Sequence, residues 1–426
     1  MLANTRRFGA YPIFLTLSFV YGLATTTIFT VNLLYQFEIA RLSPLQLVLV
    51  GTVLESSCFL CQVPTGALAD LYSRRLSIII GVVLTGLAFV LEGSFPVFWL
   101  IAGSMIFYGV GATFISGAQE AWVADELGEE RLDKALLRAS QMGQVGNILG
   151  ALLSVALASL RLNLPVVCGG ALLILLGIFL SVFMPEQGFR ARPGGERQSW
   201  RELSRTFREG LRAAWSNPLL LLILGVGLFY GLASEGYDRL GLPHLQNDFS
   251  IPGFGPFAPV VWFGFFSVLG NLLSIGVTEL VRRHLKLEHQ RVTVRALLLL
   301  NGLSMAGLLA FAWAGNFFLA AFANWWVSIS RSLKEPIYYA WLARNSPARA
   351  RATVISFAGQ MDALGQIIGG PPVGSIGTIF SLRVALTSVS LILAPILLLY
   401  LIALRLIRRS PAARVATEEA ATPASL

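Results

Sequence analysis

The chain has 426 residues, of which 55% are hydrophobic and only 13% are charged. Soluble globular domains carry roughly 25% charged residues, so this composition excludes an ordinary water-soluble protein. The formal net charge is +9, which raises the question of whether the partner is a nucleic acid or a membrane.

Twelve apolar stretches follow one another along the chain, each near the ~20 residues that a helix needs to cross a bilayer. They predict a polytopic, all-α membrane protein. The predicted spans, numbered 1 to 12, cover residues 11–34, 45–68, 76–96, 97–123, 135–160, 164–184, 218–240, 256–281, 293–314, 316–343, 352–377 and 382–406.

Most basic residues lie in the loops between these spans or at the ends of the spans. With a cytoplasmic N-terminus, 26 of the 32 Lys and Arg residues fall on the cytoplasmic side, as the positive-inside rule requires. The charge therefore records membrane topology and predicts two cytoplasmic termini with no nucleic-acid partner. The 29 Arg and three Lys residues favour a GC-rich prokaryotic source, and hence the inner membrane.

Three charges lie at the end of span 2, in the stretch GALADLYSRR from Gly66 to Arg75. Asp70 lies where the unpaired N–H groups at the start of a following helix favour a negative charge. Arg74 can pair with Asp70 and with Asp125, at the cytoplasmic end of span 4. Gly66 permits the close approach of a neighbouring helix. We therefore predict a charged cluster at the cytoplasmic face.

This stretch closely resembles the motif Gly-x-Leu-Ala-Asp-Arg-x-Gly-Arg-Lys between helices 2 and 3 of the major facilitator superfamily, and departs from it at Leu71 and Ser73. The resemblance implies the major facilitator fold, in which twelve transmembrane helices form two pseudo-symmetric six-helix bundles. It also implies that an Asp–Arg–Asp relay latches the bundles on the cytoplasmic side in the outward-facing state. The gating motif would comprise Gly66, Asp70, Arg74, Arg75 and Asp125.

Ionisable side chains also lie within the spans, where each costs at least ~2.5–3.5 kcal/mol and usually faces a cavity. Glu55, Arg331 and Asp362 come near mid-depth, and Glu120 lies nearer the cytoplasmic side. Glu55 has no obvious partner within its own helix, whereas Arg331 and Glu335 are four residues apart and could neutralise each other. A carboxylate removed from water favours its protonated form. Candidates for carrying a coupling proton are Glu55, Asp362 and Glu120.

A substrate cavity is predicted from polar and aromatic residues on the same spans. Aromatic rings offer stacking and cation–π faces, although such residues can instead face lipid. These side chains suit a lipophilic small molecule, including a cationic one. The cavity candidates are Arg331, Glu335, Gln141, Gln360, Tyr230 and Tyr338.

An internal repeat relates the two halves of the chain. Residues 121–150 align with residues 340–369 at a constant offset of 219, with nine identities in thirty positions. Such self-similarity predicts two tandem structural units. The predicted organisation is an N-terminal bundle over 1–184, a cytoplasmic central loop with an amphipathic helix over 185–217, a C-terminal bundle over 218–406, and a disordered tail over 407–426.

No motif predicts an enzyme, a metal site or a cofactor. The pair Cys58 and Cys61 lies inside span 2, and the three His residues lie apart in loops. The predicted function is secondary transport by alternating access, with protons as the coupling ion, efflux of drugs or small lipophilic metabolites, and a monomer in the lipid bilayer. The alternatives are proton-coupled uptake of a polar or anionic solute, or a non-transporting sensor on the same fold.

Overall fold

The computed structural model describes residues 9–189, 217–251, 289–347 and 351–409, together with isolated positions between 205 and 277. These residues form α-helices, and no β-strand occurs among them. Two compact units separate, and helices α1 to α8 belong to the first. They are Ala10–Phe29 (α1), Asn32–Glu38 (α2), Pro44–Leu71 (α3), Arg74–Ser94 (α4), Phe98–Ser116 (α5), Gln119–Leu127 (α6), Glu129–Ala158 (α7) and Leu164–Phe183 (α8).

The second unit contains the six remaining described helices. They are Pro218–Asn247 (α9), Gln290–Ala312 (α10), Phe317–Asn345 (α11), Arg351–Ile379 (α12), Leu382–Ile392 (α13) and Ala394–Arg409 (α14). Predicted span 8, most of the amphipathic helix in the central loop, and the tail beyond residue 409 lie outside the described residues.

The prediction of an all-α membrane protein is confirmed. Within the described part of the chain, nine helical segments are long and apolar enough to cross a membrane. They coincide with predicted spans 1 to 7, 9 and 12. Helices α11 and α12, of 29 residues each, occupy the positions of spans 10 and 11.

Three predicted spans are interrupted rather than continuous. Span 4 divides into α5 and α6 around Gly117, span 1 divides after Phe29, and span 12 divides at Leu393. Gly117 lies where α5 ends against α3, and a Cβ built on it would be 3.3 Å from the Cα of Gly66. The two helices are therefore close at Gly66, but the residue that must lack a side chain is Gly117, since a Cβ built on Gly66 itself would have nothing within 4 Å.

The internal repeat corresponds to a repeated helix packing. A Cβ on Gly146 or on Gly150 of α7 would collide with carbonyl oxygens of α1. The equivalent glycines of α12, Gly365 and Gly369, meet carbonyl oxygens of α9 in the same way. Small residues let helix backbones touch, so the repeated glycines fix one helix pair in each unit.

Replacing Gly365 with alanine is expected to destabilise the protein by about 1–3 kcal/mol, because the added methyl group has no space beside Leu228. Gly359 of the same helix has nothing within 4 Å of a built Cβ. Both substitutions gain the same helix propensity. Thermal unfolding of the purified variants should therefore show a lower midpoint for Gly365→Ala and no loss for Gly359→Ala; equal midpoints would contradict the packing argument.

Candidate functional site

A cavity of about 460 Å³ lies inside the second unit, among α9, α10, α11, α12 and α14. Its volume falls in the range of small-molecule sites. The wall combines tyrosines with ionisable side chains. The residues that define its chemistry include Tyr230, Asp238, Arg331, Lys334, Tyr338 and Asp362.

Arg331 of α11 is held by α9. Its Nη1 and Nη2 donate to the two carboxylate oxygens of Asp238 at 2.5 and 2.9 Å, and its Nε donates to Tyr230 Oη at 3.0 Å. The guanidinium also stacks over the ring of Tyr237, 5.1 Å from the centroid. The alternative in which Arg331 neutralises Glu335 is wrong, because the planar guanidinium finds a two-pronged partner in Asp238, and Glu335 stays exposed.

Asp362 of α12 faces the same cavity. Its Oδ2 accepts a hydrogen bond from Gln366 Nε2 at 2.8 Å, and no basic side chain of the described residues lies within ion-pair distance of it. The backbone at Asp362 presses on α9, since a Cβ on Gly231 would collide with the Asp362 carbonyl oxygen. The helices α9 and α12 are therefore in close backbone contact beside Asp362.

Lys334 lies one turn along α11 from Arg331 and is only 5% exposed. Its Nζ has no hydrogen-bond partner among the described residues, and it sits 4.6 Å from the centroid of the Tyr230 ring. The side chain lines the cavity. The cavity therefore contains one basic side chain that is paired, Arg331, and one without a hydrogen-bond partner among the described residues, Lys334.

The other predicted cavity residues divide between the two units. Tyr230, Tyr338 and Glu335 line the cavity, and Tyr338 Oη donates to the carbonyl oxygen of Ile223 at 3.0 Å. Gln360 lies outside its lining. Gln141 is exposed on α7 of the first unit, where it accepts a hydrogen bond from Arg138.

The three predicted proton carriers divide between the two units. Asp362 lies in the cavity of the second unit, whereas Glu120 lines a separate cavity of about 390 Å³ in the first unit. Ser18, Gln119 and Ser140 are its polar neighbours there. Glu55 is half-buried on α3.

The predicted charged cluster is present within the first unit. Arg74 Nη1 donates to Asp125 Oδ2 and, at 2.7 Å, to the Ala121 carbonyl oxygen. Its Nη2 lies 3.5 Å from Asp70 Oδ1. One guanidinium thus joins the end of α3 to α6 within the first unit.

Two contacts of this motif could not be predicted from the sequence: the helix cap formed by Ser73 and the contact of the motif with Glu186. Ser73, at the position where the motif usually has glycine, caps α4 by accepting from Leu76 N at 2.9 Å. It also donates to the carboxylate of Glu186, which accepts from Arg75 N at 3.0 Å. Glu186 follows α8, so the chain leaving the last helix of the unit covers the start of α4. Ser73 and Glu186 are 113 residues apart in the chain, so no short sequence pattern predicts this contact.

Replacing Glu186 with alanine is expected to lower the free energy of unfolding by about 1–2 kcal/mol, because the carboxylate satisfies a backbone N–H at a helix N-terminus. Asp133 is an exposed acidic residue on α7, and Asp133→Ala is the matched control. Thermal unfolding should separate the two variants. A Glu186→Ala midpoint equal to that of the control would refute the capping role.

A second buried polar cluster, also missed from the sequence, joins α2 to α4. Glu92 is 0% exposed, and its Oε1 accepts from Asn32 Nδ2 at 2.9 Å and Gln36 Nε2 at 2.7 Å. Tyr35 Oη donates to the Glu92 carbonyl oxygen at 2.8 Å. These contacts fasten the short helix α2 to α4.

Comparison with known proteins decides the family. The profile of the Major Facilitator Superfamily matches residues 14–369, which is most of the chain and includes both the Arg74 cluster and the residues of the cavity up to Gln366. This chain belongs to the Major Facilitator Superfamily.

Relatives in the superfamily are transporters. The chain is 26% identical to the uncharacterized MFS-type transporter YxaM of Bacillus subtilis (strain 168) over 362 residues, covering 84% of this chain and 87% of that protein. It is also 26% identical to the multidrug resistance protein MdtH of Salmonella typhimurium over 342 residues, covering 78% and 76% of the two chains.

Solved structures show the same fold. The nucleoside transporter NupG, as a D323A mutant, matches with a TM-score of 0.74 at 12% identity, covering 93% of this chain and 100% of that chain. A bacterial homologue of the human lysosomal transporter Spinster, inward-facing and unoccupied, matches with a TM-score of 0.71 at 16% identity, covering 94% and 98%. The major facilitator fold is therefore confirmed for this membrane transporter.

The superfamily consists of transporters, and the chain is accordingly not an enzyme. Within the residues that the structure describes, no group of three or more His, Cys, Asp or Glu side chains could hold a metal ion. Cys58 and Cys61 are free cysteines on α3, and Cys58 Sγ lies 3.7 Å from the Gly109 carbonyl oxygen.

Proposed function

We propose that this chain is a proton-coupled exporter of drugs or small lipophilic metabolites, working by alternating access. The observation that carries the proposal is the cavity of the second unit, where tyrosine rings and ionisable groups meet within membrane-spanning helices. Apolar and aromatic walls with a few polar groups suit a lipophilic substrate. The relative MdtH is named a multidrug resistance protein, which supports drugs as the substrate class.

Asp362 is the proton carrier in this proposal. It faces the cavity, its only hydrogen bond from a described side chain comes from the neutral Gln366, and it has no cationic partner in the described structure. Removal from water favours the neutral carboxyl, and opening of the cavity to water favours release of the proton. Because its backbone packs against Gly231, the change of charge is felt between α9 and α12.

The Arg74 cluster, formed by Asp70, Arg74 and Asp125, is the part of the first unit that takes part in the cytoplasmic latch of the proposed cycle. Its guanidinium contacts two carboxylates and one carbonyl oxygen, and these contacts hold the ends of α3 and α6 together within that unit. We further propose that the protein acts as a monomer in the bacterial inner membrane, with both termini in the cytoplasm. The excess of basic residues in the loops assigned to the cytoplasm supports that orientation.

The experiment uses everted vesicles that contain the protein and are energised to acidify inside, with a fluorescent pH probe. Lipophilic cations, neutral drugs and organic anions are added in turn. A compound that dissipates the pH gradient only in vesicles with the wild-type protein establishes proton antiport and identifies its class. Vesicles with Asp70→Asn serve as the control for the latch. If no compound of the panel moves protons although the protein is folded, the exporter proposal fails.

Proton-coupled uptake of a polar or anionic solute is the second candidate. The unpaired ammonium of Lys334 in the cavity favours it, because an anion would satisfy that charge. Uptake by symport moves protons and solute in the same direction, whereas export by antiport moves them in opposite directions. The sign of the proton movement therefore separates the two.

A further inference from the structure

Lys334 is the one described cation of the cavity that lacks a counter-charge. Lys334 is only 5% exposed, and its Nζ makes no hydrogen bond within the described structure. An ammonium carries three donors, and an unpaired charge away from water costs several kcal/mol. The face of the Tyr230 ring at 4.6 Å offsets only part of that cost, since cation–π contacts contribute about 2 kcal/mol when desolvated.

Arg331 cannot fill the same role. Two of its nitrogens are taken by the Asp238 carboxylate and a third by Tyr230 Oη. The pair leaves little net charge on that side of the cavity, so Arg331 holds the wall in place. An incoming anion meets its best partner at Lys334, one helical turn away.

The surroundings of Lys334 set the size and character of the ligand. The cavity holds about 460 Å³, and tyrosines at 230, 338, 339 and 400 line it. Such walls favour an aromatic or apolar body, while the ammonium favours one negative group. A carboxylate or a sulfonate on a lipophilic body meets both requirements.

We propose that Lys334 binds the anionic group of the substrate, so that the transported compounds are lipophilic organic anions. This inference rests on the proposed function in one respect, namely that the cavity of the second unit binds what is transported. It assigns the substrate class for either direction of transport, and it disfavours the lipophilic cations that the carboxylates alone would suggest.

The first test measures the stability of the ligand-free protein. Lys334→Met keeps the length of the side chain and removes the unpaired charge, so the midpoint of thermal unfolding is expected to rise. Lys134→Met, at an exposed position of α7, is the matched control and should leave the midpoint unchanged. A lower midpoint for Lys334→Met would show that the ammonium already has a stabilising partner, which would overturn the assignment.

The second test measures binding to the purified full-length protein with three matched probes. They are 1-naphthaleneacetate, its neutral amide 1-naphthaleneacetamide, and the cation 1-naphthylmethylammonium. The anion is expected to bind wild type at least tenfold more tightly than the amide. Lys334→Met should remove this preference and leave the amide unchanged, whereas Lys334→Arg should retain it. Equal affinity for all three probes, or no binding of the anion, would overturn the proposal.

Failure of the inference and failure of the proposed function give different results. If neutral or cationic compounds dissipate the pH gradient equally with wild type and Lys334→Met, proton-coupled export stands and the anion assignment falls. If the anion binds through Lys334 but its transport moves no protons, the assignment stands and proton coupling falls.

Discussion

Replacing Asp362 with asparagine is expected to abolish transport against a gradient while preserving exchange of substrate across the membrane. Asparagine resembles the protonated carboxyl in shape and charge, so the cavity can still bind and release substrate. It cannot lose a proton, and the pH gradient then has no group to act on. Reconstituted protein should show exchange of labelled substrate near the wild-type rate, with accumulation reduced to the level of empty liposomes.

The matched variants are Glu55→Gln and Glu120→Gln. Glu55 lies on α3 and Glu120 lines the separate cavity of the first unit, so both should retain gradient-driven accumulation. Coupled transport by Asp362→Asn would refute the assignment of the carrier. Loss of coupling in Glu55→Gln with Asp362→Asn still active would move the carrier to the first unit.

Replacing Arg331 with methionine is expected to reduce transport by at least about tenfold, because the Asp238 carboxylate is left in the cavity without its cation. Tyr230 and Tyr237 also lose the guanidinium that holds their rings. We expect a lower unfolding midpoint for this variant. The measurement combines initial transport rates in liposomes with thermal unfolding.

The double variant Arg331→Met/Asp238→Asn separates structure from function. Removing both charges should recover much of the unfolding midpoint, since neither partner is then left alone. Transport should stay low, because the position of Tyr230 against Lys334 depends on the pair. Full recovery of transport in the double variant would show that Arg331 serves stability only.

The fold could be predicted from the sequence because its signals are local and long. Apolar length predicts the spans, and the repeat of Gly146 with Gly365 marks equivalent helix contacts. The Arg74 cluster was also within reach, since Asp70 is one turn away and Asp125 ends the nearby span 4. In each case the deciding pattern lies along one helix or within one motif.

The partners in the site could not be predicted in the same way. Arg331 and Asp238 are 93 residues apart, and only the rotation of α9 and α11 about their axes decides that Asp238, not Glu335, faces the guanidinium. The contacts of Glu186 with Ser73 and of Glu92 with Asn32 have the same character. Sequence spacing gives the face of a residue on its own helix, whereas pairing depends on which faces meet.

In the proposed cycle, substrate and protons move in opposite directions through one protein. The direct measurement uses purified protein in liposomes with a pH dye inside and no initial pH gradient. An outward gradient of a compound found in the vesicle panel should acidify the lumen, since protons enter as substrate leaves, and Asp362→Asn should abolish that signal. Substrate efflux without any change in luminal pH would contradict proton coupling, and alkalinisation would contradict antiport.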